Sequence, residues 1–176
     1  MADMIVMCGN ISVGKSFFAR KIADALHYRY INIDDCYAIL NGDERIHENK
    51  FEVWQLFFQL IHKCIELDQS VVVDTNAPFI SDRQEFLNWF PEFNTHSLIW
   101  VDAPMGLALE KNRQRRRVVP NSQILDLASR FDDPCEQEPG GRSVWNNILR
   151  IEHDFKNKPF LIDIKGDLRE KFREII

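Results

Sequence analysis

The segment Gly9-Asn10-Ile11-Ser12-Val13-Gly14-Lys15-Ser16 satisfies the pattern G-x-x-x-x-G-K-[ST], and no other feature narrows the possible folds so far. Two glycines let the backbone turn tightly enough for successive N–H groups to converge on phosphate oxygens. A lysine after the second glycine reaches the outer phosphates, and the hydroxyl that follows can ligate Mg²⁺. The flanks agree with the pattern. Residues 4–8 read as a short buried strand, and residues 17–23 as a helix whose N-terminus faces the anion. The expected nucleotide-binding residues are therefore Gly9, Asn10, Ile11, Ser12, Val13, Gly14, Lys15, Ser16 and Phe17.

Beyond the loop the chain alternates between two periods. Residues 28–33 predict a second strand ending at Asp34-Asp35, and residues 48–67 predict a helix built on Phe51, Trp54, Phe58, Ile61 and Ile65. Residues 70–74 are a β-branched run ending in an acid, as expected of a buried parallel strand. Ser81, with Gln84 three residues on, predicts the start of a helix that Pro91 ends. Residues 97–102 form another apolar strand ending in Asp102, followed by a helix from about Met105 that Pro120 breaks. Residues 122–131 predict a helix, 132–141 a loop, 145–155 a helix, 160–164 a last strand and 168–176 a terminal helix. Alternation of this kind implies right-handed crossovers and a parallel sheet covered on both faces. No linker interrupts it, so residues 1–176 are expected to form a single domain.

Composition serves here to exclude. The chain has 45% hydrophobic and 28% charged residues, and no run approaches the roughly 18 apolar residues needed to span a bilayer. The N-terminus lacks a basic, apolar and small-residue succession, so no signal peptide is expected. The four cysteines include no C-x-x-C pair and the five histidines no H-E-x-x-H arrangement; reduced thiols in a cytoplasmic protein are the expectation. A net charge of −5 argues against a protein that coats nucleic acid with its whole surface.

Ligands of such sheets bind beyond the carboxyl ends of the strands. Asp34, Asp74 and Asp102 each follow an apolar run, so all three are expected at the edge that carries the phosphate loop. One acid there can accept the proton of an attacking hydroxyl, and another can hold Mg²⁺ or its waters. An aspartate after a strand is also a good helix cap, and that alternative stands for Asp34 and Asp102. Lys111, Arg113, Arg115, Arg116 and Arg117 crowd into seven residues. They are either a solvated helix face or a lid, about residues 111–131, whose guanidinium groups stabilise a transferring phosphoryl group and whose closure excludes water.

The ordered set Gly9-x4-Gly14-Lys15-Ser16, Ile33-Asp34-Asp35, Asp74-Thr75-Asn76 and Asn112-Arg113-x-Arg115 before Val119-Pro120 resembles the kinase domain of bacteriophage-type polynucleotide 5′-hydroxyl kinases and the small P-loop kinases around it. The resemblance covers residues 4–131. It implies a three-layer P-loop NTPase fold: a central parallel sheet flanked by helices, with a helical lid. It also implies ATP or GTP with Mg²⁺ as cofactors, Asp34 as general base, Lys15 and Ser16 on phosphate and metal, and Arg115, assisted by Arg113, as the lid arginine. Asp74 would serve the metal or the acceptor, and Tyr37, Asn76, Arg116 and Arg117 would line the acceptor side. The stretch Cys36-Tyr37-Ala38-Ile39 departs from the group in carrying no arginine for an acceptor phosphate.

Three functions follow: a kinase of polynucleotide 5′-hydroxyls, which the ordered motifs favour; a kinase of a nucleoside, an antibiotic or another metabolite; and a regulatory ATPase. The partners expected are a nucleoside triphosphate and a hydroxyl acceptor, with no membrane.

Overall fold

The apolar runs that end in acids become the middle of a sheet. The computed structural model describes residues 1–134 and 145–176. In it, β1 (Asp3–Cys8) is followed by α1 (Lys15–Leu26), β2 (Arg29–Asn32), α2 (Ile33–Asn41), α3 (Lys50–Glu66), β3 (Val71–Asp74) and α4 (Ile80–Trp89). Then come β4 (Thr95–Asp102), α5 (Met105–Arg113), α6 (Asn121–Arg130), β5 (Asn147–Glu152), β6 (Phe160–Lys165) and α7 (Arg169–Arg173). The strands lie in the order β2-β3-β1-β4-β5-β6, giving the mixed α/β fold expected. β1 sits beside both β3 and β4, so its C-terminal end, where the phosphate loop begins, is central to the sheet edge.

Alternate residues of each strand serve opposite faces, which is why the runs are apolar throughout. Met4, Val6, Val73, Leu98 and Trp100 face α3 and α4 and pack with Val53, Phe57, Ile61, Phe86 and Phe90. Ile5, Met7, Val72, Ile99 and Val101 face the other way, onto Phe18, Ile22 and Ala23 of α1 and Phe172 of α7. Among the described residues no helix is long and apolar enough to cross a membrane. Cys8, Cys36 and Cys64 are buried.

Several elements differ from the sequence expectation. Residues 145–155, expected as helix, contain β5, which runs parallel to β4. Ile148, Leu149 and Ile151 are all fully buried because this strand is covered on both faces, and such a run has the same spacing as one side of a short helix. β6 pairs antiparallel with β5, so the sheet is not wholly parallel. The second strand stops at Asn32, and Asp34 and Asp35 belong to the first turn of α2. Asn32 caps that helix, its side-chain oxygen accepting from the Asp34 N–H at 2.7 Å.

Helix α4 starts at Ile80, so Ser81 is inside it and is not the cap. The reciprocal carboxylate is Asp82, which accepts from the Phe79 N–H at 3.2 Å. Of the basic run, only Lys111 and Arg113 are helical; Gln114 turns the chain, and Arg115, Arg116 and Arg117 lie in the bend that follows. The loop expected over 132–141 falls partly outside the described residues. Its described start is pinned to the beginning of α4: Asp132 donates its N–H to the Pro78 carbonyl at 3.1 Å, and its carboxylate accepts from the Ile80 N–H at 3.0 Å.

Candidate active site

The loop after β1 has the backbone that its glycines predict. Gly9 has φ +141°, and a Cβ there would stand 2.3 Å from the Val101 carbonyl oxygen. Gly14, with φ 92°, is the cap of α1. A Cβ on it would press on the ring of His153 at 3.3 Å. Helix α1 therefore starts at Lys15, and the N–H groups of its first turn point out of the loop with the positive end of the helix dipole. Lys15 is 8% exposed, and its ammonium donates to the carbonyls of Gly9 at 2.9 Å and Asn10 at 2.6 Å. Two of its three protons are thus committed to fixing it over the loop, leaving one for a phosphate oxygen. Burial pushes its pKa down to about 8, against the pull of nearby Asp74.

Loop, α2, β3 and lid meet around one cavity of about 950 Å³. Ile11, Ser12, Gly14, Lys15, Ser16 and Phe17 line it from the loop, and Asp34 and Tyr37 from α2. Asp74, Asn76, Arg115 and Arg117 complete the expected residues found there. Arg113 and Arg116 do not line it, and Asp102 is tied to Arg150 at 2.5 Å beside the sheet. The helix ending at Arg113 turns that side chain, and the bend turns Arg116, away from the cavity, so the guanidinium groups offered to it are those of Arg115 and Arg117.

Asp74 is buried at the end of β3. Its Oδ2 accepts from the Tyr30 hydroxyl at 2.7 Å and from the Asn32 side-chain amide at 2.9 Å. Burial, then the Asp74 charge, push the Tyr30 phenol above its ordinary pKa, so it remains a donor. Asn32 thus joins two acids through one side chain: its amide holds Asp74 while its oxygen caps the turn bearing Asp34. The Asp34 carboxylate faces Arg117 of the lid, Nη1 to Oδ1 at 3.4 Å. Beside it Tyr37 and His47 stack with ring centroids 4.3 Å apart, and burial followed by the Arg117 charge lowers the pKa of the His47 ring.

The lid is tied down by Asn112, which is fully buried. Its side-chain amide donates to the Val119 carbonyl at 2.7 Å and its oxygen accepts from the Val119 N–H at 3.0 Å, closing the bend between them. The same bend puts Arg115 Nη1 3.2 Å from the Ser12 hydroxyl in the phosphate loop.

The cavity offers ligands of the kind Mg²⁺ takes. Among the described residues there is no group of three or more His, Cys, Asp or Glu that could cage a metal. A P-loop does not need one, since Mg²⁺ there takes one protein hydroxyl, phosphate oxygens and waters. Ser16 and Asp74 line the same cavity, and the Tyr30 and Asn32 hydrogen bonds to Asp74 both fall on Oδ2, leaving Oδ1 for a metal-bound water. The donor set fits.

Sequence reasoning missed Tyr30, Asn32, Arg83 and His153. Arg83 is fully buried and donates to the carbonyls of Ala77 and Pro78 at 3.2 Å each, fixing the segment after Asp74. His153 follows β5 and not a helix, so it reaches the loop, with a ring nitrogen 2.6 Å from the Val13 carbonyl. Its ring packs edge-on against Phe18 at 4.9 Å and Phe155 at 4.4 Å. Asn32 had a signal, as a cap residue directly before Ile33-Asp34-Asp35; the others did not.

The fold, the loop and the cavity are those of a P-loop nucleotide-binding domain. Residues 4–134 match the family described as AAA domain (AAA_33), and the chain belongs to that family. It is 30% identical over 153 residues to an L-seryl-tRNA(Sec) kinase of Methanococcus maripaludis, covering 81% of this chain and 56% of the relative. The chain therefore spans little more than half the length of that relative. Among solved structures it resembles a gluconokinase from Sinorhizobium meliloti, with TM-score 0.56 and 18% identity, over 98% of this chain and 89% of the other. It also resembles a chain of the Pnkp1/Rnl/Hen1 RNA repair complex, with TM-score 0.60 and 16% identity, over 74% and 46% respectively.

Proposed function

We propose that the chain is an ATP-dependent kinase that moves the γ-phosphate to a hydroxyl acceptor, with residues 1–176 acting as one catalytic domain. One observation carries this reading: a phosphate loop, a carboxylate outside it and two arginines of a lid line a single cavity. Backbone N–H groups of the loop and Lys15 hold the phosphates. Ser16 and Asp74 are the residues that would hold Mg²⁺, which supplies charge neutralisation at the transferring group. Asp34 accepts the proton of the acceptor hydroxyl, and Arg115 neutralises charge on the phosphoryl group in transit. Arg117, paired with Asp34, orients that carboxylate and closes the cavity against water. Phe17 and Phe155 flank the mouth of the loop and would border the nucleoside of ATP.

The relative named for L-seryl-tRNA(Sec) supports a kinase with a hydroxyl-bearing acceptor. The ordered motifs favour the 5′-hydroxyl of a polynucleotide, whereas the wall of the cavity beyond Asp34 favours a small molecule. The lid and the carboxylate both disfavour a regulatory ATPase, which has no acceptor to deprotonate.

The test is Asp34→Asn. It should bind ATP as the native protein does and lose transfer by about 10²- to 10⁴-fold. Unchanged transfer would leave Asp34 as a helix-turn residue with no part in the chemistry.

A further inference from the structure

Phosphoryl transfer does not explain the far wall of the cavity. Beyond Asp34 it is lined by Trp54 and Phe58 of α3 and by Phe86 and Trp89 of α4. Phe58 and Trp89 meet with ring centroids 4.5 Å apart, and Trp54 and Phe58 at 5.5 Å. Their neighbours in the core, Phe57 and Phe90, are wholly buried, yet Trp54 is 37% and Trp89 41% exposed. Two tryptophans partly open at a cavity, beside core rings that are wholly buried, offer apolar ring faces to a ligand.

The charges of the cavity are segregated. Its cationic side chains, Lys15, Lys111, Arg115 and Arg117, all come from the loop, α5 and the lid bend. Among the described residues no lysine or arginine of α2, α3 or α4 lines it. Helix α4 contributes Asp82 and Glu85, which fall with Phe86 and Trp89 at i, i+3, i+4 and i+7, one stripe of the helix. Asp82 spends an oxygen on the Phe79 N–H, while Glu85 stands exposed at the rim. An acceptor phosphate placed on this wall would meet carboxylates and indole faces, with no lysine or arginine of the wall's own helices to pair it.

Resting on the kinase reading above, we infer that the acceptor is a ring-bearing alcohol without a phosphate of its own, of the nucleoside class. Its planar ring stacks on Trp54 and Trp89, its amino or hydroxyl donors meet Glu85, and its primary hydroxyl is delivered to Asp34. The hydroxyl oxygen attacks the γ-phosphorus, the bond to the β–γ bridging oxygen breaks, ADP leaves, and Asp34 takes the hydroxyl proton. Stacking is indifferent to which base is offered, so this wall selects for a ring and against a phosphate.

The experiment compares transfer from ATP with Mg²⁺ to adenosine and cytidine, to their 3′-monophosphates, to a 5′-hydroxyl oligonucleotide and to gluconate. Tryptophan fluorescence is recorded on the same samples. The nucleosides should be the preferred acceptors, by at least about tenfold in kcat/KM over their 3′-monophosphates, and should quench the fluorescence. Trp89→Leu should raise the nucleoside KM roughly tenfold with kcat within threefold, because stacking is lost far from the reacting atoms. Glu85→Gln, an exposed and structurally mild change, should narrow the discrimination against the 3′-monophosphates. Any Lys15-dependent turnover in which nucleosides are not the preferred acceptors overturns the inference and leaves the kinase reading standing. Absence of Lys15-dependent turnover with every acceptor overturns the kinase reading, and this inference with it.

Discussion

The loop wall of the cavity comes from one short stretch of chain, between Ile11 and Phe17, whereas the facing wall draws Asp34 and Tyr37 from α2, Trp54 and Phe58 from α3, and Glu85 and Trp89 from α4. The first is largely backbone: two positive-φ glycines, a helix N-terminus and a lysine fixed by two carbonyls. The second is all side chains, on helices whose starts are pinned by the side chains of Asn32, Arg83 and Asp132. Phosphate is the same in every nucleotide, so a fixed backbone cradle suits it. An acceptor varies, so its wall is composed of replaceable side chains on helices that the sheet already positions. Changes on the loop side should then remove all nucleotide chemistry, and changes opposite should remove acceptor use alone.

The largest effect expected is at Lys15. Lys15→Ala should lower both phosphate transfer and any background ATP hydrolysis by more than about 10³-fold, measured by release and transfer of γ-labelled phosphate. A variant that still hydrolyses ATP at the native rate would erase the distinction between the walls. Arg115→Ala comes next. It should cost about 10³-fold in kcat with ATP binding retained, placing the lid on the transition state and on neither wall alone. A change restricted to the acceptor KM would assign Arg115 to the acceptor wall instead.

Gly9→Ala probes the backbone character of the loop. The added Cβ must occupy a positive-φ position and displace the Val101 carbonyl of β4. The expected loss is about 3 kcal/mol of stability, read as a fall of roughly 6–12 °C in the thermal midpoint. A midpoint within a degree or two of the native one would show that the loop adapts more freely than its geometry indicates.

The smallest effect is a pH dependence. Free Lys15 has a pKa of about 8, below its ordinary 10.5, because burial disfavours its charge. Phosphates bring negative charge and raise that pKa, so below pH 8 the lysine is already protonated and binding takes up no proton. Above pH 8 binding must take up one, and ATP affinity should fall by up to about tenfold per pH unit until the pKa of the complex is reached. Calorimetry in two buffers of different ionisation heat reads this uptake directly. No proton uptake at pH 9 would mean that Lys15 does not contact the phosphates.

The legibility of the sequence divides along the same line. The loop, the strands of residues 4–8 and 70–74 and the acids at their edge were readable because a buried parallel strand and a phosphate loop each have a local pattern. Residues 145–155 were not, since Ile148, Leu149 and Ile151 carry the spacing of a helix while being covered on both faces of a sheet. That one misreading also hid His153, which as a helical residue would lie at the surface and as a strand-end residue touches Val13. The lid arginines were found but not sorted, because whether Arg113 or Arg117 turns inward depends on where α5 ends. The aromatic wall was legible only as a helical stripe: Trp54 and Phe58 have the same spacing whether they enter a core or face a cavity.

One assay bears most directly on the kinase reading: γ-labelled ATP with Mg²⁺, offered to hydroxyl acceptors that include a nucleoside, a 5′-hydroxyl oligonucleotide and its 5′-phosphorylated counterpart, with Lys15→Ala alongside. Label covalently attached to a hydroxyl acceptor, absent from the 5′-phosphorylated strand and lost in Lys15→Ala, is the result expected of a P-loop kinase with Asp34 as its base. Label recovered only as inorganic phosphate, at a rate no acceptor alters, would contradict it and leave a nucleotide hydrolase.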